Sequence, residues 1–379
     1  MPELSALGPR AAVDLLQTYA GIDFGRVWNF QNRQGLTGQA ILTQAFAAVG
    51  GINQALVNRY GGLLYVTTSD TVTYAQGEGQ RTKTPKKVEF AVGDGVRRGE
   101  TGHMLPLTDY EDVLQWGMLW LRDAKQSNVD NDLSLVTERW QNRVEDDVWT
   151  RILTTTEEAQ GAGYSVGWAI GTGVNVPYIP TPYGGTTFSS SHTHYLWQAG
   201  NTSANALTLI ENMVKEMRHH GHEGRLQAFV SENDVDVYAG MSKFVALQPA
   251  GFTIVPGNGA ASVQITQGEQ TGMPGDLFGY VNTSRGVVEL RYYSRIPSGY
   301  IFLTKSYGQN NPNNGLALRL HPDVPFGLTP TPILTRSISP EMELIQLRAT
   351  HGIGVNKRLN GVAGYWASGA SAYVNPSLS

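Results

Sequence analysis

The chain has no cysteine among its 379 residues, which excludes disulfides, thiolate zinc sites and cysteine nucleophiles. Charged residues are also scarce, at 16% against the roughly 25% of ordinary soluble proteins. A surface so poor in charge indicates that other chains cover much of it, although a turn-rich β fold would account for part of the deficit. Glycine is abundant instead, with 44 residues, which indicates many turns and much irregular backbone.

Long apolar runs are missing as well. No stretch of about 18 apolar residues occurs, so we predict no membrane span and no membrane partner. Residues 1–6 have neither the basic nor the apolar region of a signal peptide, so we expect a soluble, intracellular protein. The net charge of −4 argues against a dedicated nucleic-acid-binding domain, but it leaves room for weak, non-specific contact with DNA through local basic spots.

The first 61 residues are predicted to form an N-terminal arm laid across other surfaces. Short helical patterns alternate there with flexible joints and scattered aromatic residues. One helix is expected over residues 40–49, with Thr37 as its cap, and Gly50 and Gly51 are expected to interrupt it. An ordinary N-terminal subdomain is the alternative.

Residues 62–106 are predicted to form an extended loop, built as a long β-hairpin. β-Branched and aromatic residues at 63–66 and 71–74 predict one arm, and strict alternation at 87–92 predicts the return. The tip between them is wholly polar. A two-stranded hairpin is marginally stable alone in water, so we expect this one to lie on another surface.

Residues 107–160 are predicted to form a domain around a long helix. Thr108 and Glu111 have capping-box spacing, and Trp116 and Trp120 follow at helical spacing, so a first helix is expected there. A second helix carries one apolar stripe, formed by Leu133, Val136, Trp140, Val144, Val148 and Ile152. Its opposite face is charged and is expected to meet solvent or a partner; it consists of Glu138, Arg139, Glu145, Asp146 and Asp147.

Residues 161–335 show an α+β pattern, and α+β is the fold class predicted for the whole chain. A loop-rich stretch over 154–202 leads to a helix capped by Ser203, then a strand at 226–230 and a short helix started by Ser231, with Asp234 in the capping-box position. Further strands are predicted at 252–255, 286–293 and 300–305. Residues 307–340 hold six prolines and are expected to form an extended connection.

No group of residues has the layout of an active site. The histidines form two groups, one with His192 and His194, the other with His219, His220 and His222. Zinc needs three or four converging ligands, and the sequence gives no reason to bring the groups together, so no metal site is predicted. Gly352 and Gly354 lack the third glycine and the following helix of a dinucleotide site. We therefore expect no enzymatic activity and no cofactor.

The C-terminal segment is the most informative part of the chain. Residues 343–365 predict two short strands joined by a tight, basic turn that is punctuated by glycines. The key positions of this pattern are Arg348, Gly354, Arg358, Gly361 and Tyr365. With residues 297–300 ahead of an apolar strand, the segment resembles the major capsid proteins of tailed bacteriophages, and the order of the predicted elements does so too.

The resemblance implies the Hong Kong 97-type capsid fold. It implies an N-terminal arm at 1–61, an extended loop at 62–106, a peripheral domain with a spine helix at 107–160, an axial domain at 161–335, and C-terminal strands at 336–379 that return to the peripheral domain. Hexamers and pentamers would form an icosahedral shell around double-stranded DNA, as a virion capsid assembled in the host cytoplasm. The implied partners are further copies of the chain, a portal and decoration proteins.

Two departures from the family pattern matter. No long charged helical prefix occurs, so a separate scaffolding protein is expected. Some relatives crosslink covalently through lysine and asparagine side chains, but no motif assigns such a role here, so crosslinking is not predicted; the available residues are Lys83, Lys86, Lys87, Asn356 and Asn360. An encapsulin-type protein compartment and, outside the structural class, a stand-alone hydrolase are the alternative functions.

Charge predicts where subunits meet. Basic residues of the hairpin are expected to lie opposite acidic residues near the spine helix of a neighbour; they are Arg81, Lys83, Lys86, Lys87, Arg97 and Arg98, facing Asp109, Glu111, Asp112, Glu145, Asp146 and Asp147. Exposed pairs contribute only about 0–1 kcal/mol each, so they would set register. Arg358, beside Lys357, is expected to reach a carboxylate or carbonyl of another subunit, with a solvated basic turn as the alternative.

Overall fold

The computed structural model describes residues 35, 38–76, 99–117, 120, 123–247, 252–255, 263–266, 272–324, 326–332 and 342–378. The chain divides into two compact units. The first unit comprises Met1–Val57, Leu107–Val144 and Leu320–His351, and the second comprises Asn58–Pro106, Glu145–Arg319 and Gly352–Ser379. This division differs from the predicted domain limits, and the predicted arm stays a prediction because residues 1–34 lie outside the described part.

The secondary structure mixes helices with mixed sheets, as an α+β fold does. The helices are α1 (Gly38–Tyr60), α2 (Gln126–Leu153), α3 (Ser203–His219) and α4 (Val235–Ala239). The strands of the first half are β1 (Leu64–Thr67), β2 (Thr71–Gln76), β3 (Gly99–Met104), β4 (Thr108–Gly117), β5 (Glu158–Gln160), β6 (Gly163–Ser165) and β7 (Tyr195–Ala199). Those of the second half are β8 (Leu226–Ser231), β9 (Phe244–Ala246), β10 (Phe252–Val255), β11 (Val263–Thr266), β12 (Asp276–Thr283), β13 (Gly286–Tyr293), β14 (Tyr300–Thr304), β15 (Leu316–Leu320), β16 (Thr329–Pro332), β17 (Met342–Val355) and β18 (Val362–Ala367).

A seven-stranded sheet is the centre of the second unit, with strand order β7-β18-β14-β8-β13-β12-β9. Every residue of β8 is buried, because both faces of this strand are covered. Ala228 and Val230 belong to the core under α3, while Phe229 between them contacts the ring of Trp149 on α2. Helix α3 covers its face of the sheet with Ala206, Leu209, Ile210, Met213, Val214 and Met217.

The long apolar stripe on α2 is confirmed. All six stripe residues are buried, from Leu133 at one end to Ile152 at the other. In the first unit, β17 pairs antiparallel with β4 and with β16. Among the described residues, no helix combines the length and the apolar composition that a membrane span needs.

The predicted helix at the start of residues 107–160 is wrong, because residues 108–117 form strand β4. Its exposure alternates with a period of two: Glu111 and Val113 are exposed, whereas Leu114 and Trp116, which follow them on the other face, are buried. The whole strand pairs with β17, from Thr108 opposite His351 onwards. Ten paired residues outweigh a capping box, which contributes only about 1 kcal/mol.

Helix α1 is longer than predicted, since it continues through Gly50 and Gly51 without a break. Each glycine in a helix interior costs about 1 kcal/mol relative to alanine. Burial of Val49, Leu56 and Tyr60, which recur along the helix, offsets that cost. The expected interruption at the glycine pair is therefore wrong.

The hairpin exists, but its first arm differs from the prediction. Strand β2 pairs antiparallel with β3, from Thr71 opposite Met104 to Gln76 opposite Gly99. Strand β1 is not part of it and pairs in parallel with β15, with Leu64 opposite Leu316. The predicted return at 87–92 lies outside the described residues.

The proline-rich stretch over 307–340, which was expected to be an extended connection, contains two short strands, β15 and β16.

The caps of α3 and α4 can be compared with prediction residue by residue. Thr202, not Ser203, caps α3, because its hydroxyl accepts from the Asn205 N–H at 3.3 Å. Ser231 caps the short helical turn before α4, as predicted. Asp234 makes no capping hydrogen bond; its carboxylate accepts from Ser298 Oγ and the Gly299 N–H.

The two closing strands do not form a hairpin with each other. β17 is 14 residues long and pairs within the first unit up to His351, whereas β18 pairs with β14 and, in parallel, with β7. Of the two C-terminal strands that were expected to return to residues 107–160, β17 pairs with β4 there, whereas β18 lies in the seven-stranded sheet.

Acidification should destabilise the first unit through His351. Its ring lies among those of Tyr110, Trp140 and Phe326, and burial lowers its pKa to about 4. An unfolded histidine has a pKa of about 6.5, so the unfolded chain binds more protons as pH falls below that value, and stability is lost towards pH 4. We predict that His351→Phe reduces the fall in Tm between about pH 7.5 and about pH 5. The control is His321→Phe, at a partly exposed position. A fall in Tm that is as large in the His351 variant as in the unaltered protein would contradict the prediction.

Candidate functional site

The basic turn between β17 and β18, residues 356–361, lies in the interior of the second unit. The Asn360 amide donates to the Lys305 carbonyl at 2.9 Å and accepts from the Lys305 N–H at 3.1 Å. The Asn356 amide donates to the Asn314 carbonyl at 3.0 Å. Both asparagine side chains are buried, so they close the turn and are not available for crosslinking.

Arg358 is the centre of this turn, with only 2% of its surface exposed. Its Nε donates to the Gly167 carbonyl at 3.1 Å and its Nη2 to the Trp168 carbonyl at 3.3 Å. Its Nη1 donates to the Val176 carbonyl at 2.9 Å and to the Tyr74 hydroxyl at 2.8 Å. All three nitrogens of the guanidinium are therefore bonded within the same unit.

The expectation that Arg358 reaches another subunit is wrong. Residues 167–176 form no regular ladder, so their carbonyls need donors from elsewhere, and a planar fork with five N–H groups supplies them. The faces of Tyr178 and Tyr74 flank the cation at 5.4 and 5.8 Å. Space is tight as well, because a Cβ on Gly361 would lie 2.6 Å from the Trp168 ring. Lys357, in contrast, is exposed.

Three acidic residues on β4 form what we call the acidic edge: Asp109, Glu111 and Asp112. Asp109 and Glu111 are exposed and Asp112 is half-buried. Arg139 lies 3.3 Å from Asp112, and Arg348 lies 3.8 Å from Glu111. Both arginine side chains are mostly exposed, so solvent screens these contacts and each contributes only about 0–1 kcal/mol.

Glu145 is a correction to the predicted interface. It is buried, with Arg59 Nη1 at 2.6 Å from one carboxylate oxygen and Arg295 Nε at 3.2 Å from the other. It follows Val144 directly and so borders the apolar stripe of α2, which the assignment to a charged face overlooked. Asp146 lies 3.5 Å from Arg295, and both it and Asp147 are half-buried.

The six basic residues of the hairpin fall within 77–98, outside the described residues. One group that the sequence did not bring together does converge in the second unit, where His192, His194 and His220 lie beside Glu216. Their spacing along the chain gave no sign of it.

The fold has a counterpart among solved structures. A chain in the structure of Mycobacterium phage Patience matches over 91% of this chain and 92% of that one, with a TM-score of 0.60 at 18% identity. The chain has the Hong Kong 97-type fold. At this level of identity the likeness shows the fold alone. No protein-family model and no curated protein sequence matches the chain.

Other solved structures match this chain with lower TM-scores. One of them is an asymmetric unit of the bacteriophage PhiM1 mature capsid, with a TM-score of 0.47 at 10% identity. It covers 81% of this chain and 86% of that one. The capsid of a native GTA particle matches with a TM-score of 0.45 at 12% identity, over 82% of this chain and 91% of that one.

Loss of the Arg358 guanidinium should destabilise the second unit itself. We predict that Arg358→Ala lowers the free energy of unfolding by about 3 kcal/mol, since buried carbonyls lose charged donors. Lys357→Ala, the exposed neighbour, should cost less than about 0.5 kcal/mol. Chemical denaturation of both variants measures the difference, and equal stabilities would contradict the buried role.

Proposed function

We propose that this protein is the major capsid protein of a tailed bacteriophage, which assembles as hexamers and pentamers into an icosahedral shell around double-stranded DNA. The observation that carries the proposal is the fold shared with a phage chain over 91% of this sequence. The proposal places the protein in the virion capsid, after assembly in the host cytoplasm with a separate scaffolding protein, a portal and decoration proteins. Its role is structural.

Exposed apolar side chains support assembly. Trp197 on β7 and Val287 on β13 each expose 45% of their surface, and Leu135 on α2 exposes 56%. An exposed apolar side chain of this size gains free energy when another chain covers it. Together with a charged content of only 16%, they favour a subunit whose surface is completed by its neighbours.

We further propose that the basic hairpin residues contact the acidic edge of a neighbour, with Lys357, Asp146 and Asp147 at other subunit contacts. The acidic edge is exposed on β4 and its contacts within the chain are weak, so a neighbour's lysines can replace them. Charge attraction of this kind fixes register more than strength, because exposed pairs are screened by salt.

Assembly is the first prediction of this proposal. The purified protein should form closed shells or hexameric and pentameric capsomers in negative-stain micrographs, with interfaces above about 2,000 Å². Genes beside its own should encode a portal and a terminase. Only a monomer peak in size exclusion would contradict assembly, and a neighbouring cargo enzyme with protein-filled particles would favour the encapsulin-type alternative.

Charge reversal provides a second prediction. Lys86→Glu with Lys87→Glu should lower shell yield several-fold, because the hairpin would then repel the acidic edge. Adding Asp109→Lys and Glu111→Lys should restore the yield, since the pairing returns with its signs exchanged. Lys215→Glu with Arg285→Glu, at two exposed positions outside the proposed contact, is the matched control. Failure of the fourfold variant to recover, with its subunits folded, would refute this contact.

A further inference from the structure

Three imidazoles and one carboxylate converge inside the second unit. His192 and His194 lie just before β7, while Glu216 and His220 lie at the C-terminal end of α3. One ligand atom from each of the four lies within 4.8 Å of the others. The three rings form a nearly equilateral triangle, with centroids 4.9–5.0 Å apart.

Two of the distances between donor atoms match a metal coordination shell. Glu216 Oε1 lies 3.3 Å from His192 Nδ1 and also 3.3 Å from His220 Nε2. A tetrahedral ion with bonds of about 2.0–2.1 Å separates its ligand atoms by roughly 3.3 Å. Contacts of this length are long for hydrogen bonds between nitrogen and oxygen.

The cluster is buried and its polar atoms lack protein partners. His194 is fully buried, and the side chain of His220 is 1% exposed. Within the described part of the chain, His194 Nε2, His220 Nε2 and Glu216 Oε1 have no hydrogen-bond partner. Each buried polar atom without a hydrogen-bond partner costs about 1–3 kcal/mol of stability, and a cation bound among these atoms would remove that cost.

His194 is oriented as a metal ligand is. Its Nδ1 lies 2.7 Å from the carbonyl oxygen of Gly361. A carbonyl only accepts, so Nδ1 carries the ring proton and Nε2 presents a lone pair to the cluster. A hydrogen bond from the far ring nitrogen to a backbone carbonyl is the usual support of a zinc-binding histidine.

We propose that the second unit binds one zinc ion through His192, His194, Glu216 and His220. Nitrogen and carboxylate donors in a tetrahedral set suit zinc, and four protein ligands leave no position open for substrate. The ion is therefore structural. It ties the segment before β7 to the end of α3, two pieces of chain that strand β7, a short loop and the helix itself separate along the sequence.

Phe188 covers the cluster from one side. Its ring is stacked on His220 at 4.5 Å and contacts the His192 ring edge-on at 4.9 Å. Neutral imidazoles packed as an aromatic core would explain these ring contacts. Such packing alone would leave His194 Nε2 buried without a hydrogen-bond partner.

Metal content tests the proposal directly. The purified protein is stripped with EDTA, loaded with ZnCl₂, desalted and assayed by mass spectrometry for zinc. We expect about one zinc per subunit, at least tenfold less in His220→Gln and in Glu216→Gln, and the wild-type amount in the control His321→Gln. Loading with CoCl₂ should give the intense visible absorption of tetrahedral Co²⁺.

The wild-type protein alone decides the question if the variants fail to fold. Zinc, but not magnesium, should then raise its Tm after stripping, and the Co²⁺ spectrum should be tetrahedral. Less than about one zinc per ten subunits, an octahedral Co²⁺ spectrum, or full zinc binding by a folded His220→Gln would overturn the site and leave an imidazole core. Zinc per subunit is independent of shell formation, so failure here leaves the proposed function standing.

Discussion

The buried guanidinium of Arg358 is the interaction on which the second unit depends. It gathers the carbonyls of Gly167, Trp168 and Val176, which belong to a loop without regular structure. A buried cation that loses its partners costs several kcal/mol, so the loop and the turn hold each other in place. The Trp168 indole also donates to the Ile152 carbonyl, so the loop that Arg358 holds is bonded to the end of α2 as well.

Much of the fold can be predicted from the regular spacing of apolar residues along the chain. The stripe on α2 and the buried run of β8 were predictable, because each pattern fits one kind of element and no other signal competes. At β4 two signals compete: Thr108 and Glu111 suit a helix start, while the alternation through Trp116 suits a strand. Only the partner strand β17 decides between them. The pairing of β1 with β15 has no local signal at all.

The residues of the candidate site could be predicted from the sequence only in part. The sequence singled out Arg358 but not its surroundings, since residue type does not reveal whether solvent reaches a side chain. Glu145 lies one position beyond the apolar stripe of α2, where its carboxylate is buried and bound by the partly exposed Arg59 and Arg295. The histidines meet because α3 and β7 are neighbours in the second unit, a relation that spacing along the chain does not contain.

The position of β18 has a consequence for biosynthesis. This last strand lies inside the seven-stranded sheet, between β7 and β14. A ribosome makes the chain from its N-terminus, so β7 and β14 both emerge before the strand that separates them, and the sheet stays open until β18 has been made. Contacts of such high sequence separation slow folding, and open strand edges invite wrong partners. A nascent chain therefore passes through a vulnerable period that lasts until residues 362–367 have been made, and a chain truncated before β18 would leave β7 and β14 without the strand that joins them.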